Sequence, residues 1–314
     1  MCELISDRIY LIRGENDGRF PFGHSILIIE KDTKGTLIDT GSGIDILQNL
    51  KNKFRIEQII NSHTHPDHCA GNWVFKDTAK EIWVPREGFP SAGNIRLLSE
   101  RYAEKGRLAK HWRKFVLKQM NFKDFQPTRT YTESTPFDIG SIKLIPVYTP
   151  GHSHDHYCFY EPAQKIMFTF DIDFASFGPW YGHRESSISE FKRSIEKIRG
   201  FDLQMMVSSH KGIIRENIQE RIEEYFNKFE ERKSRILSLW RNAPDVQKLV
   251  DAAPIYGSYP YVEPLLRYWE EQMILKHLEE AGIKFNNSSD LPRKPRKPRK
   301  PRKPRKPRKP VAAT

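Results

Sequence analysis

Residues 63–68 read His-Thr-His-Pro-Asp-His, three imidazoles and a carboxylate within six positions. Burying such groups without partners is costly, so they are not ordinary core residues. His63 and His65 point to one side, while Asp67 and His68 turn away after Pro66. That arrangement suits two adjacent metal ions better than one. Imidazole with carboxylate favours zinc, iron or manganese, and no thiolate is among the candidate donors.

Such donors must be held by regular elements, and the chain supplies them in alternation. The first 40 residues read as antiparallel strands at Ile9–Ile12, His24–Glu30 and Gly35–Asp39. The turn residues Asp39-Thr40-Gly41-Ser42-Gly43 then open a helix over about 44–53. Ile56–Asn61 is a strand running straight into His63, so the cluster occupies a loop at a strand end. Another short strand closes at Val84. Asn94–Met120 has helical spacing interrupted by Gly106. Strands follow at Ile142–Val147, Tyr157–Tyr160 and Ile166–Phe170, then a helix at Ser187–Arg199 and a strand at Met205–Ser208. Beyond Arg215 the pattern is helical, with a last helix over about Tyr261–Ala281. Alternating strands and helices followed by helices alone imply a layered α/β body with a C-terminal helical appendage.

The six-residue cluster resembles the signature of the metallo-β-lactamase superfamily, His-x-His-x-Asp-His. The rest of that pattern is present in order: Thr149-Pro150-Gly151-His152, Phe168-Thr169-Phe170-Asp171 and Ser208-Ser209-His210, each ending an apolar strand. The resemblance spans about residues 5–215. It implies a four-layer αβ/βα sandwich, divided here as 1–214 for the metal-hydrolase domain, 215–285 for the helical appendage and 286–314 for a tail. It also implies one metal on His63, His65 and His152, and a second on Asp67, His68 and His210, with Asp171 bridging. Asp39 matches a supporting aspartate of the family. One departure is Phe170, where a glycine usually precedes the bridging residue. Asp173 lies two positions on and competes for the bridging role, while His154 and His156 similarly shadow His152.

Two divalent ions about 3.5–4 Å apart, zinc foremost with iron or manganese as alternatives, would hold a bridging water and bring its pKa to about 7. Asp67 is both a ligand and the orienter or proton acceptor of that water. The expected reaction is hydrolysis of an ester, thioester or lactone of a small, anionic or neutral substrate. His65 stands where flavodiiron members carry glutamate, and dedicated β-lactamases generally lack the bridging aspartate. The pattern therefore looks closest to glyoxalase II and lactonase-like members. The rival readings are a phosphodiesterase or ribonuclease of the same fold, a single-iron enzyme like the persulfide dioxygenases, and a non-catalytic binding module.

Two local features bear on the substrate. Residues 94–120 hold eight Lys/Arg (Arg101 among them) against Glu100 and Glu104, a local charge of +6. This segment either attracts an anion over the site or is a solvated helix face. Ser176–His183 is an aromatic, Gly/Pro-containing loop after Asp171 that either lines a pocket or wedges into the core. His24, His111 and His277 read as ordinary surface or core residues.

Overall charge says little about this body. The chain has 314 residues and a formal charge of +12, but Pro-Arg-Lys repeated six times from Pro292 carries twelve basic residues. The remaining 40 Lys+Arg balance 40 Asp+Glu. A nucleic-acid partner is therefore expected only through this tail, whose composition favours an extended rod over a core. No apolar run approaches the roughly 18 residues of a membrane span, and the start of the sequence has no signal-peptide pattern. Three widely spaced cysteines form no disulfide framework. A soluble cytoplasmic enzyme with a small-molecule substrate and no membrane partner is the expectation.

Overall fold

The computed structural model describes residues 2–259 and 263–284; the Pro-Arg-Lys tail and the rest of 286–314 lie outside the described residues. Four antiparallel strands open the chain: β1 (Cys2–Ser6), β2 (Ile9–Ile12), β3 (Ser25–Lys31) and β4 (Lys34–Ile38). Helix α1 (Ile44–Lys53) crosses to β5 (Arg55–Ile60), which pairs parallel to β4. The helical turn α2 (Pro66–Cys69) follows, then β6 (Glu81–Pro85), α3 (Ile95–Ala103), α4 (Arg107–Gln119) and β7 (Arg129–Tyr131). These seven strands form one sheet in sequence order.

A second sheet has the order β13-β12-β11-β10-β9-β8. Its strands are β8 (Phe137–Ile139), β9 (Ile142–Tyr148), β10 (Tyr157–Glu161), β11 (Ile166–Phe170), β12 (Met205–Ser208) and β13 (Gly212–Ile214). Helix α5 (Ile188–Arg199) joins β11 to β12, and α6 (Ile218–Asn242), α7 (Val246–Ala252) and α8 (Glu263–Glu280) complete the chain. Asn94 and Ser187 cap α3 and α5 by accepting from backbone N–H groups in the first turn.

Period-two burial explains the layering. Ile26, Ile28, Ile38 and Ile60 of the first sheet meet Leu144, Phe159, Phe168 and Val207 of the second, forming the inter-sheet core. The opposite face of the first sheet buries Leu27, Leu37, Ile56 and Ile59 against Leu47 and Leu50 of α1. The outer face of the second sheet buries Met167 and Met206 against Phe191 and Ile195 of α5 and Phe229 of α6. The result is helix, sheet, sheet, helix, the αβ/βα sandwich that the resemblance implies. A further cluster joins α3 and α4 to α8 through Leu98, Tyr102, Trp112, Leu265 and Trp269. Among the described residues no helix is long and apolar enough to cross a membrane.

Two strand ends carry a backbone conformation unusual for their side chains. Asp39 after β4 has φ 58°, and Phe170 at the end of β11 has φ 48°. Phe170 occupies the position where the family pattern has glycine, and the left-handed region is the reason, since a side chain there costs about 1–2 kcal/mol. Its ring offsets that cost by burial in the inter-sheet core, 5.6 Å from Phe159. The carbonyl of Phe170 accepts from Ser209 N–H, tying the turn beside Asp171 to the one beside His210. Because a lost buried phenyl group costs about 3–5 kcal/mol, Phe170→Gly should lower stability by roughly 2 kcal/mol despite the relaxed backbone. Denaturant unfolding measures this, and a neutral or stabilising substitution would contradict it.

Candidate metal centre

All of the candidate donors lie at C-terminal ends of strands. Asp39 follows β4, His63 to His68 follow β5, His152 follows β9, Asp171 follows β11 and His210 follows β12. Parallel pairing of β4 with β5 and of β11 with β12 brings these ends to one rim of the sandwich. At Gly41 the chain must pass beneath the cluster, and an added Cβ would lie 1.5 Å from Asp67 O. Glycine there is a requirement of close approach.

The seven sequence-predicted residues come together as two groups. His63, His65, His152 and Asp171 form one, and Asp67, His68, Asp171 and His210 the other, with donor atoms in each group within 4.8 Å of one another. Asp171 belongs to both, and its two oxygens divide between them. Oδ2 lies 3.1 Å from His152 Nε2 and 3.7 Å from His63 Nε2. Oδ1 lies 2.8 Å from His68 Nε2 and 3.4 Å from His210 Nε2. Asp173 joins neither group; its Oδ1 accepts from Ala175 N–H.

The imidazoles are oriented from behind. His68 Nδ1 donates to Asp39 Oδ2 at 2.7 Å, and Ser62 Oγ donates to the same oxygen. The Ser62 hydroxyl oxygen then accepts from His63 Nδ1 at 3.0 Å. His152 Nδ1 donates to Trp180 O and His210 Nδ1 to Gly18 O. Each outward nitrogen thereby holds a proton, which leaves the partner nitrogen facing inward to present its lone pair when a metal binds, as metal-ligating histidines require. The inward atom His63 Nε2 has no hydrogen-bond partner, His68 Nε2 meets only the neighbouring donor Asp171 Oδ1, and His152 Nε2 faces His65 Nδ1 at 2.8 Å. Buried donor atoms turned toward one another and left unsatisfied fit divalent cations.

Electrostatics within the bare protein show the same need. Burial, reinforced by neighbouring imidazoles, holds His63 and His65 well below the ordinary histidine range. Burial would also lower His68 and His210, but carboxylates outweigh it: Asp171 and Asp39 hold His68 well above its usual value, and Asp171 raises His210 to about 9. Burial pushes Asp67 up, with Asp171 adding to it. For Asp171, burial works upward but His68, His210 and His152 hold it well below the usual range.

Several supports escape a reading of the sequence. Arg101, counted there with the cationic face, is turned inward and donates to Asp155 at 2.7 Å, to Glu185 at 2.6 Å and to Thr64 Oγ1 at 2.7 Å. Thr64 in turn donates its N–H and hydroxyl to Asp155, so this ion cluster clamps the residue between His63 and His65. The contribution of Arg101 to attracting an anion is thus withdrawn, because its charge is consumed by the buried Asp155 and the half-buried Glu185. His154 also belongs to this cluster, through Glu185 at 3.1 Å. His156 lies behind the donors and its Nε2 accepts from Asp171 N–H. In the 176–183 loop, Trp180, Tyr181 and His183 act as wedges: Trp180 holds His152, and Tyr181 hydrogen-bonds His277. Only the distant Arg101–Asp155 and Glu185 pairings had no local signal.

The geometry can be set beside known proteins. The profile of the Metallo-beta-lactamase superfamily matches residues 19–210, which include all seven donors. This chain belongs to the metallo-β-lactamase superfamily. Its similarity extends to an "Atrochrysone carboxyl ACP thioesterase" of Aspergillus fumigatus, 22% identical over 80% of this chain and 70% of that one. The "Lactamase-like protein ptaB" of Pestalotiopsis fici is 30% identical, over 54% of this chain and under half, 46%, of that relative's length. A "Beta-lactamase-like protein 2 homolog" of Caenorhabditis elegans is 20% identical over 90% of this chain and 88% of its own. In fold, the superfamily member resembles a metallo-beta-lactamase family protein of Thermus thermophilus, with TM-score 0.69 and 18% identity over 89% of this chain and 95% of that one. The superfamily fold implies divalent metal binding, and the His/Asp groups fit it.

Metal binding should release protons. With His210 raised to about 9 and His68 raised as well, both imidazoles carry a proton at pH 7 in the metal-free protein and must lose it to coordinate. Calorimetric titration with zinc at pH 7 in buffers of differing ionisation enthalpy should show about two protons released per filled site pair. Apparent affinity should rise with pH toward 9, and a proton-neutral, pH-independent titration would contradict the account.

Proposed function

We propose that this superfamily member is a two-metal hydrolase of thioesters and related acyl esters, with zinc in both positions. The observation that carries the reading is the division of the two Asp171 oxygens between two trios of donors. Imidazole and carboxylate without thiolate suits zinc, with iron or manganese the less favoured occupants. Cys69 Sγ is spoken for by Thr64 O, and Cys158 lies behind the sheet in a hydrogen bond with Thr169 O.

His63, His65 and His152 would hold one ion and Asp67, His68 and His210 the other, with Asp171 shared. When bound, the ions supply a polarised acyl carbonyl and a water that ionises near neutral pH. Asp67, in the first turn of α2, is buried with Oδ2 3.9 Å from His210 Nε2. From there its carboxylate would orient the attacking water and take its proton. Asp39, Ser62, Trp180 O and Gly18 O keep the imidazoles in the tautomer that faces inward.

An acyl substrate is supported by the surroundings. Phe20, on the loop that follows Gly18, stacks on Phe115 of α4 at 5.7 Å and meets Trp269 of α8 edge-on at 6.3 Å. Trp269 also contacts Trp180 and His183, which stand behind the other donor trio. These aromatic contacts link the supports of both trios, and the exposed Phe20 ring beside them offers an apolar surface that favours an acyl group over a polyanion. The naming of several relatives as acyl-carrier thioesterases points the same way.

Hydrolysis of an aromatic acyl thioester, a lactone and an activated phosphodiester by the zinc-reconstituted protein tests this. The thioester should turn over fastest, chelation should abolish the activity, zinc should restore it, and His63→Ala or Asp171→Ala should lower it at least about 100-fold. Thioester hydrolysis that survives chelation, or faster phosphodiester cleavage, would overturn the proposal.

A further inference from the structure

We infer that His183 is a positioning residue for the metal ligand His65, and that helix α8 sets His183 in place. The inference rests on the proposed metal reading, because it concerns which nitrogen of His65 faces the ion. Four of the five donor imidazoles have their outward nitrogen on a carboxylate, a hydroxyl or a backbone carbonyl. His65 is the exception. Its Nδ1 faces His152 Nε2 within the donor group, and its Nε2 lies 3.0 Å from His183 Nδ1.

The proton inventory of that pair follows from the coordination. If His65 binds through Nδ1, its Nε2 carries the proton and donates to His183 Nδ1. His183 must then keep a lone pair on Nδ1 and carry its own proton on Nε2. The tautomer of one imidazole fixes that of the next. A neutral acceptor behind His65 also polarises it less than Asp39 polarises His68. The two ions would therefore sit on ligands of unequal basicity.

His183 is itself closely held. It is buried, stacks on Tyr102 at 4.4 Å with the planes 24° apart, and meets Trp180 edge-on at 4.7 Å. Trp269 of α8 approaches its ring at 6.2 Å, and Lys276 of α8 donates to its backbone carbonyl at 2.8 Å. Two residues two turns apart on one face of the last helix thus fix a residue that touches a ligand. The helical appendage reaches the metal centre by this route without supplying a donor.

The test uses the full chain and zinc itself, titrated in competition with a chromophoric chelator, together with the visible spectrum of the cobalt(II)-substituted protein. His183→Ala should weaken the binding of one zinc by about 10–100-fold and shift the cobalt bands, while His183→Asn, whose Oδ1 replaces the Nδ1 acceptor, should recover affinity to within about threefold. Lys276→Met should weaken binding in the same direction by a smaller factor, and circular dichroism should report a folded protein throughout. Affinity and spectrum unchanged in His183→Ala would overturn the inference alone. A stoichiometric loss of one zinc in both His183 variants would overturn it by making His183 a ligand. A wild-type chain that binds no zinc would instead overturn the metal reading and this inference with it.

Discussion

Four buried imidazoles, the half-buried His210 and two buried carboxylates stand at the rim of this sandwich with donor atoms turned toward one another. Everything around them is arranged to hold that costly state. Buried polar atoms without partners are costly, and His63 Nε2 has none while His68 Nε2 and Asp171 Oδ1 have mainly each other. Asp171 is the pivot. Its carboxylate draws His68 and His210 toward the charged state, and its two oxygens address different donor groups.

The sandwich explains how such a cluster persists. Each donor sits just past a strand whose side chains are locked in the inter-sheet core or under a helix, so the rim inherits the rigidity of the layers. Where the rim needs a turn that side chains resist, at Asp39 and Phe170, burial or a triple set of hydrogen bonds offsets the strain. Behind the donors lies an ion cluster of Arg101, Asp155 and Glu185, which fixes Thr64 and with it the spacing of His63 and His65. The helices α3 and α8 then bear on the same loop through Tyr102, His183 and Lys276.

Much of this was legible in the sequence because it is local. His63 to His68 lie within one loop, and the remaining donors each follow an apolar strand, so the superfamily pattern could be matched to them position by position. Helix α1 and strand β11 matched their patterns for the same reason. The three-residue edge strands β7, β8 and β13 left too few residues for a period to be read, and their pairing depends on the neighbouring strand. Arg101 was counted with the cations of 94–120 because its partners, Asp155 and Glu185, are 54 and 84 residues away. Phe170 was legible only as a departure from glycine; the left-handed turn that explains it is a property of the backbone.

The central claim is that Asp171 is shared by two ions, each held by its own trio. Anomalous diffraction at the zinc edge, from crystals of the reconstituted full chain, tests it most directly. The account predicts two peaks, one ringed by His63, His65 and His152 and the other by Asp67, His68 and His210, with a different Asp171 oxygen on each. A single peak, or two peaks without Asp171 between them, would contradict it.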